Sequence, residues 1–337
     1  LTRSRGVLDT YRLLRRVSSI NGPGVKKDLL DRVIFNTEPL PPLGKEYWWF
    51  LFFSDSGEKP VQVMFLIYRK HGERMLFNGE EMALSRMGDG ELRAVTSGWV
   101  FDGERIRDLG DSNVYVRFGG DEIATEVSGE TMTLCGGYPD YRFRVSGKID
   151  LVLSRGDFLE DRDARGVFLP PFGVGWVDIY SHAEGTVLGS PFEGTSHLQK
   201  VFGVTIYGPF HWGRIVFRNG SVASLFTLKT GRISKTFIHG SFTFFDKENG
   251  EIIRLRNPRL TITVDEGSWI INGRDGDRVV KMVLGIYARK EFIMKGGGTQ
   301  VYIEYAVKAR EFTLRTRKRS ITLEDLGDGV GTFEDAY

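Results

Sequence analysis

Apolar positions near the start of the chain fall at helical spacing: Val7, Leu8, Tyr11, Leu14 and Val17, with Arg12, Arg15 and Arg16 between them. Asn21-Gly22-Pro23-Gly24 breaks that pattern. A second short helix is predicted around Lys26 to Val33. A basic amphipathic helix suits a membrane surface, or packs over a barrel end with its basic face in water; the second reading is the simpler. From Tyr47 onward the period changes to two. Strands are predicted at 47–54, 61–69, 92–101, 113–118, 122–127, 131–135, 141–153, 174–181, 184–188, 198–206, 211–218, 222–230, 233–239, 241–245, 251–256, 259–263, 269–273, 279–287, 299–307 and 311–317. Asn219-Gly220, Asn249-Gly250 and Asn272-Gly273 sit between such runs, and a type I′ hairpin turn needs their tolerance of positive φ.

Roughly twenty short strands without alternating helices exclude a doubly wound α/β fold and exceed one small closed barrel. The pattern predicts an all-β chain of two antiparallel β-barrels behind a short helical N-terminal segment. The expected divisions are 1–35 for the helical segment, 36–185 for the first barrel and 186–337 for the second. The boundary rests on the charged stretch from Arg155 to Arg165, on Pro170-Pro171 and on Gly189-Ser190-Pro191. Residues 61–70 echo residues 279–290, which suits either duplication or two apolar strands under one β-period constraint. Several strands are apolar on both faces, as in 61–69, and such strands need cover on both sides.

Composition narrows the classes. The 337 residues carry 46 basic and 44 acidic side chains, so no sequence-wide field draws the chain to nucleic acid or anionic lipid. The single cysteine, Cys135, excludes intrachain disulfides and thiolate metal cages, and it reads as a buried structural thiol. No apolar run reaches the ~20 residues of a membrane span, and no apolar h-region follows the basic start. The expectation is a cytoplasmic protein without an integral membrane segment or nucleic-acid partner. Scarce glutamine beside many charges is a thermophile tendency. Aromatics reach 12%, so a cavity inside either barrel would be apolar; the same rings could instead fill the core.

Four segments carry a family resemblance. Glu46-Tyr47-Trp48-Trp49-Phe50 resembles the Glu-Trp-Trp-Tyr opening of hydroxyneurosporene synthase-like (carotenoid 1,2-hydratase-like) proteins. Tyr207-Gly208-Pro209-Phe210-His211-Trp212-Gly213 resembles that family's Gly-Tyr-x-Asp-His-Asn-Trp-Gly segment. His239-Gly240-Ser241 with the following turn, and Gly329-Val330-Gly331-Thr332-Phe333-Glu334, resemble later parts. The resemblance implies two tandem lipocalin-like barrels and an isoprenoid-like substrate. Its catalytic residues do not carry over. With Trp212-Gly213 aligned, the family Asp falls on Pro209, its His on Phe210 and its Asn on His211. Glu46 stands one residue further from the tryptophans than in the family, and one residue reverses a strand's face.

Chemistry on an isoprenoid double bond needs a proton donor and a surface that tolerates positive charge. Candidate catalytic residues are His211, Glu304 and Asp178. Glu304 shares a strand face with Tyr302 and Ala306, and is either a buried donor or an outward, solvated carboxylate. Asp178 is flanked on its face by Trp176 and Tyr180. His211, beside Trp212, is either a reactive imidazole or a rim histidine bonded to a carbonyl. Candidate ligand-binding residues are Trp48, Trp49, Trp176, Tyr207, Trp212 and Tyr305. No His pair has metal-ligand spacing, and no cofactor motif is present: Lys295-Gly296-Gly297-Gly298-Thr299 opens no helix. The basic run Arg315-Thr316-Arg317-Lys318-Arg319 could meet phosphate or serve as a solvated edge that discourages strand addition. The function expected is binding of a small apolar molecule, with cofactor-independent acid catalysis on it (hydration, isomerisation or cyclisation). The alternative is a non-catalytic hydrophobic-ligand binding or scaffold protein.

Overall fold

In the computed structural model, residues 2–19, 25–55, 59–86, 91–158, 162–205, 208–231, 237–256, 259–295 and 299–337 are described, without the side chains of 2–9, 85–86 and 256. The predicted helices form as α1 (Thr2–Ser18) and α2 (Lys27–Ile34). Arg15 and Arg16 lie in the last turn of α1, where cations favour the helix dipole. Leu14 and Val17 of α1, and Leu29, Leu30, Val33 and Ile34 of α2, are buried in the first core. Each such side chain contributes about 1.5–3 kcal/mol.

Fourteen strands follow: β1 (Gly44–Ser54), β2 (Gln62–Lys70), β3 (Arg74–Phe77), β4 (Glu80–Ala83), β5 (Ser85–Arg86), β6 (Glu91–Phe101), β7 (Ile106–Gly119), β8 (Glu122–Val127), β9 (Glu130–Gly137), β10 (Asp140–Val145), β11 (Ile149–Arg155), β12 (Arg162–Leu169), β13 (Phe172–Val187) and β14 (Ser190–Val204). Hydrogen bonding runs β11-β10-β9-β8-β7-β6-β2-β1-β14-β13, and β13 also pairs with β11, closing a barrel of ten strands. The alternation in β1 sends Trp48, Phe50 and Phe52 into the core, where they meet Phe65 and Phe143. Asp31 ties α2 to this barrel: its Oδ1 accepts the Tyr138 N–H at 2.9 Å and the Tyr141 hydroxyl at 2.8 Å. Gly137 permits the approach, since a Cβ there would lie 3.1 Å from Asp31 Oδ2. Asp31→Ala strands both donors and is expected to cost about 1–3 kcal/mol, measured by urea unfolding; an unchanged midpoint would show that water replaces the carboxylate without loss.

The second set comprises β15 (Phe210–Phe217), β16 (Val222–Lys229), β17 (Phe237–Asp246), β18 (Glu251–Arg256), β19 (Arg259–Val264), β20 (Ser268–Asp275), β21 (Arg278–Lys295), β22 (Thr299–Arg315), β23 (Ser320–Thr322) and β24 (Gly329–Ala336), with the single turn α3 (Leu323–Leu326). Its strand order is β18-β17-β16-β15-β24-β22-β21-β20-β19. Its core gathers Ile215, Phe217, Leu225, Phe242, Trp269 and Phe333. The echoing segments 61–70 and 279–290 lie in β2 and β21, in different sheets.

The change from first to second unit falls between Ile206 and Tyr207, about twenty residues beyond the expected 185/186. The prolines and Gly189 mark no linker. Pro170 and Pro171 turn β12 into β13, and Leu188-Gly189, both at positive φ, turn β13 into β14. β13 and β14 pair continuously from Gly173↔Val204 to Val187↔Ser190, so turn chemistry inside one sheet produced the boundary signal.

Candidate functional site

β15 alternates His211, Gly213, Ile215 and Phe217 toward the second core. His211 therefore ends an inward row. Its cross-strand neighbours are Thr227 on β16 and Asp335 on β24. Lys229, two residues beyond Thr227, reaches the same point. Asp335 Oδ1 lies 2.5 Å from Lys229 Nζ and 3.2 Å from His211 Nε2. Trp269 stands edge-on to the imidazole, with ring centroids 5.2 Å apart, and Tyr305 meets Trp269 at 5.5 Å. Phe237 approaches His211 at 6.0 Å.

Phe237 reaches this place because of a β-bulge. The register of β16 with β17 steps from Leu228↔His239 to Lys229↔Phe237, so Ile238 is left without a cross-strand partner. Ile238 is 71% exposed, while Phe237 turns toward the histidine. Bulges re-aim side chains in this way beside functional sites.

Burial lowers the His211 pKa below its ordinary value; the Asp335 hydrogen bond and charge oppose that shift, and Lys229 adds to it. His211 is thus the neutral imidazole at pH 7. Burial alone would raise the Asp335 pKa, but His211 and Lys229 overcome it and hold the carboxyl ionised. Nε2 faces both Asp335 Oδ1 and Lys229 Nζ, the latter at 3.4 Å. Ionised Asp335 can only accept, so its contact with Nε2 is met when Nε2 carries the proton and donates, which leaves the lone pair on Nδ1. Among the described residues, His211 Nδ1, Thr227 Oγ1 and Trp269 Nε1 are buried without hydrogen-bond partners. Three orphaned polar atoms at one end of the second unit are a departure from the general rule of satisfied interiors.

Of the other sequence candidates, Tyr305 lies in this compartment through Trp269. Glu304 does not. It sits on the opposite face of β22, fully buried, accepting from the Thr332 hydroxyl at 3.1 Å. It is therefore neither a solvated carboxylate nor a partner of His211. Trp212, half-buried, faces the same side, opposite Glu334. Asp178 belongs to the first unit, where its Oδ1 accepts from His197 Nε2 at 2.8 Å and from Gln199 Nε2 at 2.7 Å. Tyr180 stacks on His197 at 4.6 Å, and half-buried Trp176 shares the face. Trp48 lies in the first core, donating its indole N–H to the Ile34 carbonyl at 2.7 Å, and Trp49 points from the other face of β1. Tyr207 lies outside the described residues. Asp335, Lys229, Thr227 and Trp269 were not singled out from sequence. The closing segment 329–334 stopped one residue short of Asp335, and nothing local linked it to His211.

Two clefts of the second unit measure about 390 and 130 Å³, and His211 lines neither. Below His211 the core is packed: a Cβ on Gly213 would lie 2.4 Å from the Phe333 ring.

No family model matches the chain, and no curated protein matches it. Solved structures do. The crystal structure of an ATTH-type protein from Nitrosomonas europaea superposes with a TM-score of 0.54 at 13% identity, covering 94% of this chain and 98% of that one. CghA bound to Sch210972 superposes at 0.51 and 11% identity, covering 95% and 94%. CghA alone gives 0.51 at 13%, covering 94% of each. At such identities the likeness establishes architecture: the chain is an all-β protein of tandem lipocalin-like units. Among the described residues no helix is long and apolar enough to cross a membrane.

Proposed function

We propose that the chain binds an apolar small molecule, isoprenoid or lipid-like, at the His211 end of the second unit. It moves a proton on that molecule without a cofactor, as isomerising a C=C bond requires. The observation that carries this reading is the set of orphaned atoms: His211 Nδ1 beside Thr227 Oγ1 and Trp269 Nε1, in an aromatic surround. A base whose pKa lies below neutrality is in its active form at pH 7. Asp335 fixes the tautomer, as the acidic member of a dyad does. Thr227 and Trp269 supply donors for oxygen charge that develops as the proton leaves. Trp269 and Phe237 present ring edges and faces to the hydrocarbon. Asp335, 17% exposed, marks the side from which a guest enters; half-buried Phe237 and Tyr337 are the side chains that must yield.

The resemblance to carotenoid 1,2-hydratase-like proteins supports the isoprenoid class, and the similar CghA, solved with Sch210972, supports an organic ligand. The acid half of the expected mechanism changes. Asp335 is held ionised, so the imidazole takes the proton and returns it as imidazolium. A role in binding alone is favoured by the Phe333 ring seated over Gly213.

Fluorescence titration with retinol, an isoprenoid alcohol, tests the binding step. Saturable energy transfer is expected, reduced at least tenfold in Trp269→Phe, together with apolar molecules in an organic extract of the purified protein. A clean extract and no saturable transfer would refute the reading.

A further inference from the structure

We propose that the solvent-facing side of β19–β22 is a binding cleft for a phosphate-bearing molecule. On these strands Ile271, Val280, Met282, Phe312 and Leu314 face the core, so the residues between them face outward. The outward set places Arg259 directly opposite Arg274, and Asn272 opposite Lys281. Arg315 and Thr313 complete the lining from β22. The four strands line a half-open cleft of about 390 Å³. That lies within the ~300–1,000 Å³ typical of small-molecule sites.

The charge pattern has no internal explanation. Like charges directly opposite on paired strands are destabilising. Lys281 is neutralised by Glu311 at 2.6 Å. Arg274 donates only its Nε to the Gly276 carbonyl, at 3.3 Å. Arg259 and Arg315 have no hydrogen-bond or ion-pair partner among the described residues. A chain with net charge of only +2 has acidic side chains enough to interleave here, yet none lines this cleft. An incoming anion relieves the repulsion, and each guanidinium offers a planar fork that matches phosphate oxygens. Asn272 and Thr313 add neutral donors within the same face. No aromatic side chain lines the cleft, so there is no stacking surface of the kind single-stranded nucleic acid uses. The half-open shape and the separated arginines fit a compact polyanion. The phosphate arrives either on a soluble molecule or on a lipid headgroup.

Calorimetric titration with inorganic pyrophosphate tests the soluble source. Co-sedimentation with phosphatidylcholine vesicles containing phosphatidic acid tests the headgroup. The expected result is salt-sensitive binding of at least one probe, weakened at least tenfold in the double variant Arg259→Gln/Arg315→Gln and unchanged in Arg144→Gln of the first unit. Binding of pyrophosphate assigns a soluble ligand; binding of the vesicles alone assigns a headgroup. Thermal unfolding gives an independent reading: without a probe the double variant melts at or above the wild-type temperature, and pyrophosphate or the vesicles no longer raise it. Wild-type protein that binds neither probe, or a double variant that binds as tightly as wild type, would overturn the assignment.

Discussion

Replacing Glu46 by Gln is expected to destabilise the protein by about 3–5 kcal/mol, seen as a fall in the urea midpoint at unchanged slope. Glu46 is 2% exposed in the first barrel, on the same inward face of β1 as Trp48. Two cations converge on it. Arg69 Nε donates to its Oε1 at 2.5 Å, and Lys200 Nζ lies 3.1 Å from its Oε2. Thr37 donates its hydroxyl to the same carboxylate, Arg69 reaches the Glu38 carbonyl at 2.5 Å, and Lys200 donates to the Asn36 carbonyl. The cluster thereby ties the segment after α2 to three barrel strands, with the Trp48 ring 4.2 Å from the Lys200 ammonium. Burial by itself would raise the Glu46 pKa. Arg69 and Lys200, with the Thr37 and Arg69 hydrogen bonds, outweigh burial and lower it. Removing the carboxylate takes the contacting countercharge from two buried cations, which is where the cost arises.

The sign of the pH dependence follows. A carboxyl whose folded pKa lies below its unfolded value contributes stability above the unfolded value of 4.5, and loses it as pH falls through the folded pKa. Wild-type protein should therefore lose stability on acidification below about pH 4.5 more steeply than Glu46→Gln. Adding Lys200→Met to Glu46→Gln should recover part of the loss, because one uncompensated cation goes with it. A single variant within about 1 kcal/mol of wild type would mean that water reaches and neutralises the cluster.

Period and turn chemistry made the architecture legible in the sequence, and the same limits explain what was missed. Alternation placed Trp176, Asp178 and Tyr180 on one face of β13. Asn219-Gly220 and Asn249-Gly250 mark turns, with Gly220 and Gly250 at positive φ. Local signals fail where the determinant is a distant strand. Glu46 finds Arg69 across 23 residues, and Lys229 finds Asp335 across 106. Such pairings depend on strand order, which the period does not encode. The bulge at Ile238 also defeats alternation, since one extra residue exchanges the inward and outward sets beyond it. Glu304 shows the opposite failure: its face was read correctly, but burial of that face was invisible from its own strand. A strand apolar on both faces announces that both are covered without saying by what.

His211→Gln is expected to lower turnover of a β,γ-unsaturated ketone probe by about 10²–10⁴-fold, the usual contribution of a positioned acid–base group. The amide keeps the approximate size and a hydrogen bond to Asp335 but has no lone pair of useful basicity. Retinol affinity should change far less, which separates proton transfer from binding. Asp335→Asn supplies the sharper test because its effect has two signs. The carboxylate fixes the tautomer, so turnover should fall. It also favours the imidazolium, so its loss lets burial and Lys229 depress the His211 pKa further. Activity that needs neutral His211 is lost as pH falls through that pKa, and the acidic limb of the kcat/KM profile should move to lower pH in Asp335→Asn. Among the described residues, Lys229 from β16, Tyr305 from β22 and Tyr337 at the chain end also face this compartment. Burial pushes Tyr305 up to about 12, so it does not titrate within the limb. A limb that stays in place, or moves to higher pH, would remove His211 from the proton transfer even if turnover fell. Wild-type protein that converts no ketone while still binding retinol would leave the compartment a binding site alone.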